Sequence, residues 1–248
     1  MSNELDSKLE HLPPKAIKLI LNFAQQVSEA FGDNLYSLLI YGSAAGKNYL
    51  EDKSDINTVV VLNNIRTPDL NIMTDILNNF AKKGLALPLM FEKDHISTSL
   101  DTFPIEFSDM RDRHILIFGI EPFEGVKIET KNLRYQCERE LKSILVNLRR
   151  GFLTTGSKRE NIEQLMEGSL SSVVAAARGL IWMAGQIPPE SISDLLALLQ
   201  EIYKSDISAI DRVWRLKKGQ SGATAMLEAL FEDYIHNIEY LAAITDRH

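Results

Sequence analysis

Apolar residues recur at helical spacing from Ile17 through Ile20, Leu21, Phe23, Ala24, Val27 and Phe31, which predicts a first long helix. Pro13 and Pro14 suit its opening turn, where a missing N–H costs nothing, and Gly32-Asp33-Asn34 ends it. The period then shortens. Leu35 to Tyr41 is a compact apolar run that reads as a buried strand. Gly42-Ser43-Ala44-Ala45-Gly46 reads as a small-residue turn with a short helix after it, and Asp55 to Leu62, rich in β-branched residues, as a second strand. Thr67 with Pro68 behind it predicts a helix to about Lys83, stopped by Gly84. Leu85 to Phe91 reads as a third strand, and Phe103 to Phe107 and Ile115 to Phe118 as short later ones.

From Glu129 the pattern is helical throughout. Leu133, Cys137, Leu141, Leu145, Leu148 and Phe152 form one apolar stripe. Further helices are expected from about Glu160 to Gly185, from Pro188-Pro189 onward, from Asp206 to Leu216 and from Ala223 to Ala243. The change of texture predicts two domains, 1–128 and 129–248, with a boundary near Gly125 to Thr130. The pattern predicts an α/β (α+β) half followed by an all-helical bundle.

The stretch with most chemical content is Leu38 to Leu62, LLIYGSAAGKNYLEDKSDINTVVVL. A strand ends in Gly42-Ser43, and the next opens with Asp55-Ile56-Asn57. Residues i and i+2 of a strand project to one face, so Asp55 and Asn57 are expected to point together beside the turn. Backbone N–H groups and a hydroxyl in such a turn suit a phosphate, and carboxylates facing it suit Mg²⁺.

These residues resemble the DNA polymerase β-like nucleotidyltransferase superfamily, most of all the small bacterial and aminoglycoside nucleotidyltransferases. The marks are a Gly-Ser turn, an acidic–apolar–acidic triplet roughly ten residues later, and a third carboxylate on a later strand. The resemblance implies a mixed sheet flanked by helices for the first half, and transfer of a nucleoside monophosphate from an NTP to a hydroxyl acceptor on two Mg²⁺ ions. By the same resemblance, Gly42 and Ser43 hold the nucleotide phosphates. Asp55 is the first metal-binding carboxylate, and Glu106, within Phe103-Pro104-Ile105-Glu106-Phe107, is the third. Asn57 stands where the second carboxylate belongs, and it offers a neutral oxygen in place of a charged one. That loss removes on the order of several kcal/mol of attraction for a divalent cation. An inactive nucleotide-binding pseudoenzyme, or an antitoxin-like interaction protein, is the alternative. Lys53 and Lys47 are within reach of phosphates, although solvated loop lysines are the plainer reading.

Other side chains compete with bland readings. Arg111, Arg113 and His114 resemble a substrate-facing loop, against a solvated turn. Lys142, Arg149, Arg150, Lys158 and Arg159 form a basic concentration facing either an anionic ligand or water. Glu138 and Glu140 are candidates for a base that activates the acceptor hydroxyl. His95 reads as a cap or surface residue, and Cys137, Trp182 and Trp214 as helix packing.

Composition narrows the partners. At 45% hydrophobic and 25% charged residues, the 248-residue chain is ordinary for a soluble globular protein. Its net charge of -7 argues against broad binding to nucleic acid or to an anionic membrane. A single cysteine excludes an intrachain disulfide and CxxC zinc sites. The first fifteen residues lack a signal-peptide apolar run, and no apolar run is long enough to span a bilayer, so a cytoplasmic location is expected. The apolar helical half makes a homodimer a reasonable expectation.

Overall fold

In a computed structural model of the chain, the described residues are 2–46, 49, 51, 54–80, 83–155, 158–219 and 227–246. Two compact units separate. One comprises Met1–Leu100 with Glu106–Lys127, the other Asp101–Ile105 with Ile128–His248.

The N-terminal unit begins with a short helix that the pattern does not predict, α1 (Ser2–Leu9). The expected long helix follows as α2 (Pro14–Phe31), entered through Pro13 in an extended conformation. A 3-10 turn, Gly32–Asn34, leads into β1 (Leu35–Tyr41). After a second 3-10 turn, Gly42–Ala45, come β2 (Asn57–Leu62), α3 (Thr67–Asn78) and β3 (Leu89–Glu92). The unit closes with α4 (His95–Thr98), α5 (Pro104–Asp112) and β4 (His114–Gly119).

The strands form one mixed sheet in the order β3-β2-β1-β4. β1 lies antiparallel to both β2 and β4, and β3 lies parallel to β2. One face of the sheet is covered by the first three helices. Leu38, Val60 and Leu62 pack with Phe23, Val27, Met73 and Ile76. Ile40, Ile56 and Ile115 pack with Leu9, Leu12, Ala16 and Ile20. By strand alternation the other face carries Leu39, Tyr41, Asn57, Val59, Val61 and Phe91.

Several elements of this unit differ from the sequence pattern. α3 stops at Asn78, not near Lys83, because the chain tightens so that Phe80 meets Phe23 edge-on, with ring centroids 5.4 Å apart. β3 starts at Leu89, not Leu85. Pro88 has no N–H for the ladder, and Leu85 makes only an isolated bridge to Ile56. The predicted strand Phe103 to Phe107 is helical, forming the start of α5. Pro104 fits a first helical turn and is poorly suited to a strand interior, and Glu106 and Arg111 suit the two ends of the helix dipole.

The C-terminal unit is helical: α6 (Thr130–Thr155), α7 (Arg159–Met183), α8 (Ile192–Tyr203), α9 (Ser208–Lys217) and α10 (Leu227–Thr245). α8 starts after Ser191, whose hydroxyl accepts the Asp194 N–H at 3.4 Å, and not at Pro188-Pro189. The predicted start of the last helix, Ala223, lies outside the described residues. Leu141, Met166, Val173, Ile181, Leu195, Ile210, Tyr234 and Leu241 share one buried core. α6 and α7 approach closely where Gly179 faces Cys137. A Cβ at Gly179 would fall 2.3 Å from the cysteine Sγ, so only glycine admits this contact. Cys137 is fully buried, as its place in the apolar stripe predicts.

Two phenols, one half-buried and one buried, are expected to make the bundle sensitive to alkali. Tyr203 donates to the Leu180 carbonyl at 2.8 Å, and burial pushes its pKa up from 10.0 to about 12. Burial also raises Tyr234, which lies beside the Ser169 hydroxyl at 3.0 Å. A folded-state pKa above the unfolded value stabilises the neutral form. That stabilisation is complete below pH 10 and is lost as pH climbs towards 12. The melting temperature is expected to fall over that window, and Tyr203→Phe to flatten the fall; an unchanged pH profile in that variant contradicts the assignment.

Candidate functional site

The turn at Gly42–Ala45 is fixed by what surrounds it. Ala44 is fully buried and its carbonyl meets the His11 ring Nε2 at 3.1 Å, while the Gly46 N–H returns to the Ser43 carbonyl at 3.2 Å. Gly42 has φ of +72°, in the left-handed region where a side chain is strained. Asn57 closes over it: a Cβ at Gly42 would stand 3.2 Å from the Asn57 Nδ2. The structure therefore brings together Gly42, Ser43 and Asn57.

A polar row continues across the sheet from there. Tyr41 pairs with Asn57 on one side and with His114 on the other, and opposed residues of antiparallel strands share a face. Burial raises the pKa of the Tyr41 phenol. The His114 ring is held at both nitrogens, by the Met110 carbonyl at 2.7 Å and the Glu121 carboxylate at 2.8 Å. Glu121 in turn accepts the Phe123 N–H at 2.9 Å. Tyr41 and Glu121 carry no site signal in the sequence, although Tyr41 sits next to the glycine, and His114, read there as a substrate-facing loop or a solvated turn, is a strand residue.

Asp55 and Glu106 are placed elsewhere. β2 starts at Asn57 and is preceded by the Ile56 bridge to Leu85, so Asp55 lies just before the strand. Asp55 is exposed and lines a cavity with Lys15 and Lys18 of α2. Glu106 is exposed on α5, next to Phe107, whose ring lies 5.9 Å from that of Phe91. Phe91 pairs with Val61, four residues along β2 from Asn57, or about 13 Å at strand spacing. The expectation that Glu106 stands on a strand facing Asp55 is thus corrected: the residue is helical and anchored towards the far end of the sheet. The later strands supply no replacement beside Asn57. β4 (HILIFG) has no acid. The one acid of β3, Glu92, pairs with Leu62 at the distant end and accepts the Ile65 N–H at 2.9 Å.

Among the described residues, the donor set at the turn does not fit a two-metal magnesium site. Such a site needs several anionic oxygens converging on the ions, whereas the residue at the turn is an amide, neutral in either orientation. Among the described residues, no group of three or more His, Cys, Asp or Glu is placed to hold a metal. Lys47 and Lys53 lie outside the described residues.

The basic side chains of the helical unit are largely engaged by acids. Lys142 meets Glu138 at 2.5 Å and Asp246 at 3.5 Å, and Arg149 meets Glu239 at 2.5 Å. Glu138 also holds Arg134 at 3.3 Å, and Glu140 stands 3.5 Å from Arg139. As ion-pair partners, these two glutamates are poorly suited to act as bases. His95 stacks on Phe91 with ring centroids 4.8 Å apart.

No protein-family model and no curated protein matches the chain. Solved structures do. The spectinomycin adenyltransferase AAD(9) from Enterococcus faecialis, determined with ATP and spectinomycin, superposes with a TM-score of 0.56. The match covers 93% of this chain and 99% of that one at 13% identity. The fold is nucleotidyltransferase-like. A nucleotidyltransferase-like protein from Exiguobacterium sibiricum matches more loosely, with a TM-score of 0.36 and 11% identity over 89% of this chain and 73% of that one. The mixed sheet and the helical C-terminal region agree with the fold class read from the sequence. Among the described residues no helix is long and apolar enough to cross a membrane.

Proposed function

We propose that the chain is a nucleotide-binding pseudoenzyme that holds the phosphates of an NTP at the Gly42–Ser43 turn and does not transfer the nucleotidyl group. The observation that carries this reading is the Asn57 amide lying against Gly42, with no carboxylate beside it on either later strand. Backbone N–H groups of a glycine turn and the Ser43 hydroxyl donate to phosphate oxygens without any metal. The Asn57 amide nitrogen adds a further donor, which suits an anion. Tyr41 and His114 extend the same polar face for the rest of the nucleotide. Magnesium enters this scheme as the ion that an NTP carries with it, held by its phosphates.

ATP is the first ligand to test, since the adenyltransferase of similar fold was determined with it. Titration calorimetry is expected to give saturable binding with Mg·ATP, and a parallel assay no release of pyrophosphate, with or without spectinomycin. Release of pyrophosphate overturns the pseudoenzyme in favour of a transferase, whose acceptor is then to be sought among hydroxyl compounds. Failure to bind any NTP leaves an interaction module in which the turn is a vestige.

A further inference from the structure

The first helix and the bend after it pack against the Gly42–Ala45 turn. Leu9 and Leu12 are buried in one cluster with Ala44, Ile40 and Ile56. The Leu12 N–H donates to the Leu9 carbonyl at 2.9 Å, which bends the chain between α1 and α2. From that bend the His11 ring donates through Nε2 to the Ala44 carbonyl at 3.1 Å. Ala44 is fully buried, so losing the ring strands a desolvated acceptor unless the turn shifts. The residue before it is Ser43. α1 has only eight residues, too few for a helix that is stable by itself, so these contacts are what keep it in place.

We infer that the segment 2–12 is a strap that sets the shape of the phosphate-binding turn, with His11 as its positioning residue. The inference rests on phosphate binding at Gly42–Ser43. His11 acts through the Ala44 carbonyl and not on a ligand. A peptide unit is planar, so anchoring that carbonyl fixes the whole link from Ala44 to Ala45. The turn is wound as a 3-10 helix, in which each N–H returns to the carbonyl three residues back, so a fixed last peptide holds the earlier ones in place. Such winding does not itself use its leading N–H groups, here those of Gly42 and Ser43, and these are the groups a phosphate needs. Loosening the strap lets the turn unwind locally. By reciprocity, a phosphate bound at the turn tightens the strap.

Amide hydrogen exchange read by NMR, together with ATP titration, tests this on variants of the full chain well below their melting temperatures. The Gly46 N–H, bonded to the Ser43 carbonyl at 3.2 Å, reports closure of the turn. His11→Ala is expected to speed its exchange by about fivefold and to weaken ATP binding by a similar factor. His11→Gln presents an N–H at similar reach and is expected to restore both. Val27→Ala, in the neighbouring core cluster, is expected to lower the melting temperature and leave ATP affinity unchanged. Unchanged Gly46 exchange or ATP affinity in His11→Ala, no recovery with glutamine, or an equal loss of affinity in Val27→Ala overturns the inference. A wild-type chain that binds no ATP instead removes the phosphate reading of the turn, and the Gly46 exchange rates still decide whether His11 holds it.

Discussion

Gly42→Val is expected to destabilise the N-terminal unit by about 2 kcal/mol and to abolish NTP binding. Two costs combine. A β-branched residue at φ of +72° is strained by about 1–2 kcal/mol. The new Cβ also meets the Asn57 amide at 3.2 Å and pushes it from the turn. The two are separable. Gly42→Ala combined with Asn57→Ala removes the contact and keeps the backbone strain, so its melting temperature is expected to lie between those of the wild type and Gly42→Val. Thermal melting and ATP calorimetry on the three proteins check this. A Gly42→Val protein that binds ATP with wild-type affinity removes the turn from the site.

Asn57→Asp is expected to raise affinity for Mn²⁺ by about tenfold or more and still yield no pyrophosphate. A negative charge a few ångströms from a divalent ion at a partly screened site gains several kcal/mol before desolvation, of which about 1.4 kcal/mol suffices for a factor of ten. Transfer is expected to stay absent because neither later strand brings a carboxylate to residue 57. Asp55 precedes the strand and lines the cavity beside α2, and β4 and the near end of β3 carry no acid. Unchanged Mn²⁺ affinity shows that residue 57 does not face the metal. Appearance of turnover shows that a third carboxylate reaches the turn after all.

The sheet and its turn were legible in the sequence because their signals are local. A run of apolar residues ending in Gly-Ser, and a β-branched run after a charged loop, each need only a few neighbours to be read. The site was less legible because its geometry is set at a distance. Tyr41 and His114 are adjacent only because β1 pairs with β4 across more than seventy residues, and nothing in either segment announces the partner. The strand pattern reads from Asp55, whereas β2 begins at Asn57 with the bridged Ile56 before it, so the pattern alone does not fix where the Asp55 side chain points. Glu106 was misread because five residues such as Phe-Pro-Ile-Glu-Phe satisfy helix and strand alike, and only Pro104 tips the balance. α1 escaped notice since eight residues with two leucines carry too short a period to detect.

On the proposed reading, an amide where the resembling family has a carboxylate leaves the phosphate donors of the glycine turn in place, so binding is expected to survive a loss that catalysis does not. The three strands nearest the turn keep their apolar faces, and the polar row of Asn57, Tyr41 and His114 is held by hydrogen bonds at its His114 end.

The most direct measurement is a crystal structure of the wild-type chain soaked with a non-hydrolysable ATP analogue and Mn²⁺, read by anomalous scattering. The account predicts the triphosphate on residues 42–43, with a single manganese held by its phosphate oxygens. Two manganese peaks about 3.5–4 Å apart, bridged by protein carboxylates as in a two-metal transferase, contradict it.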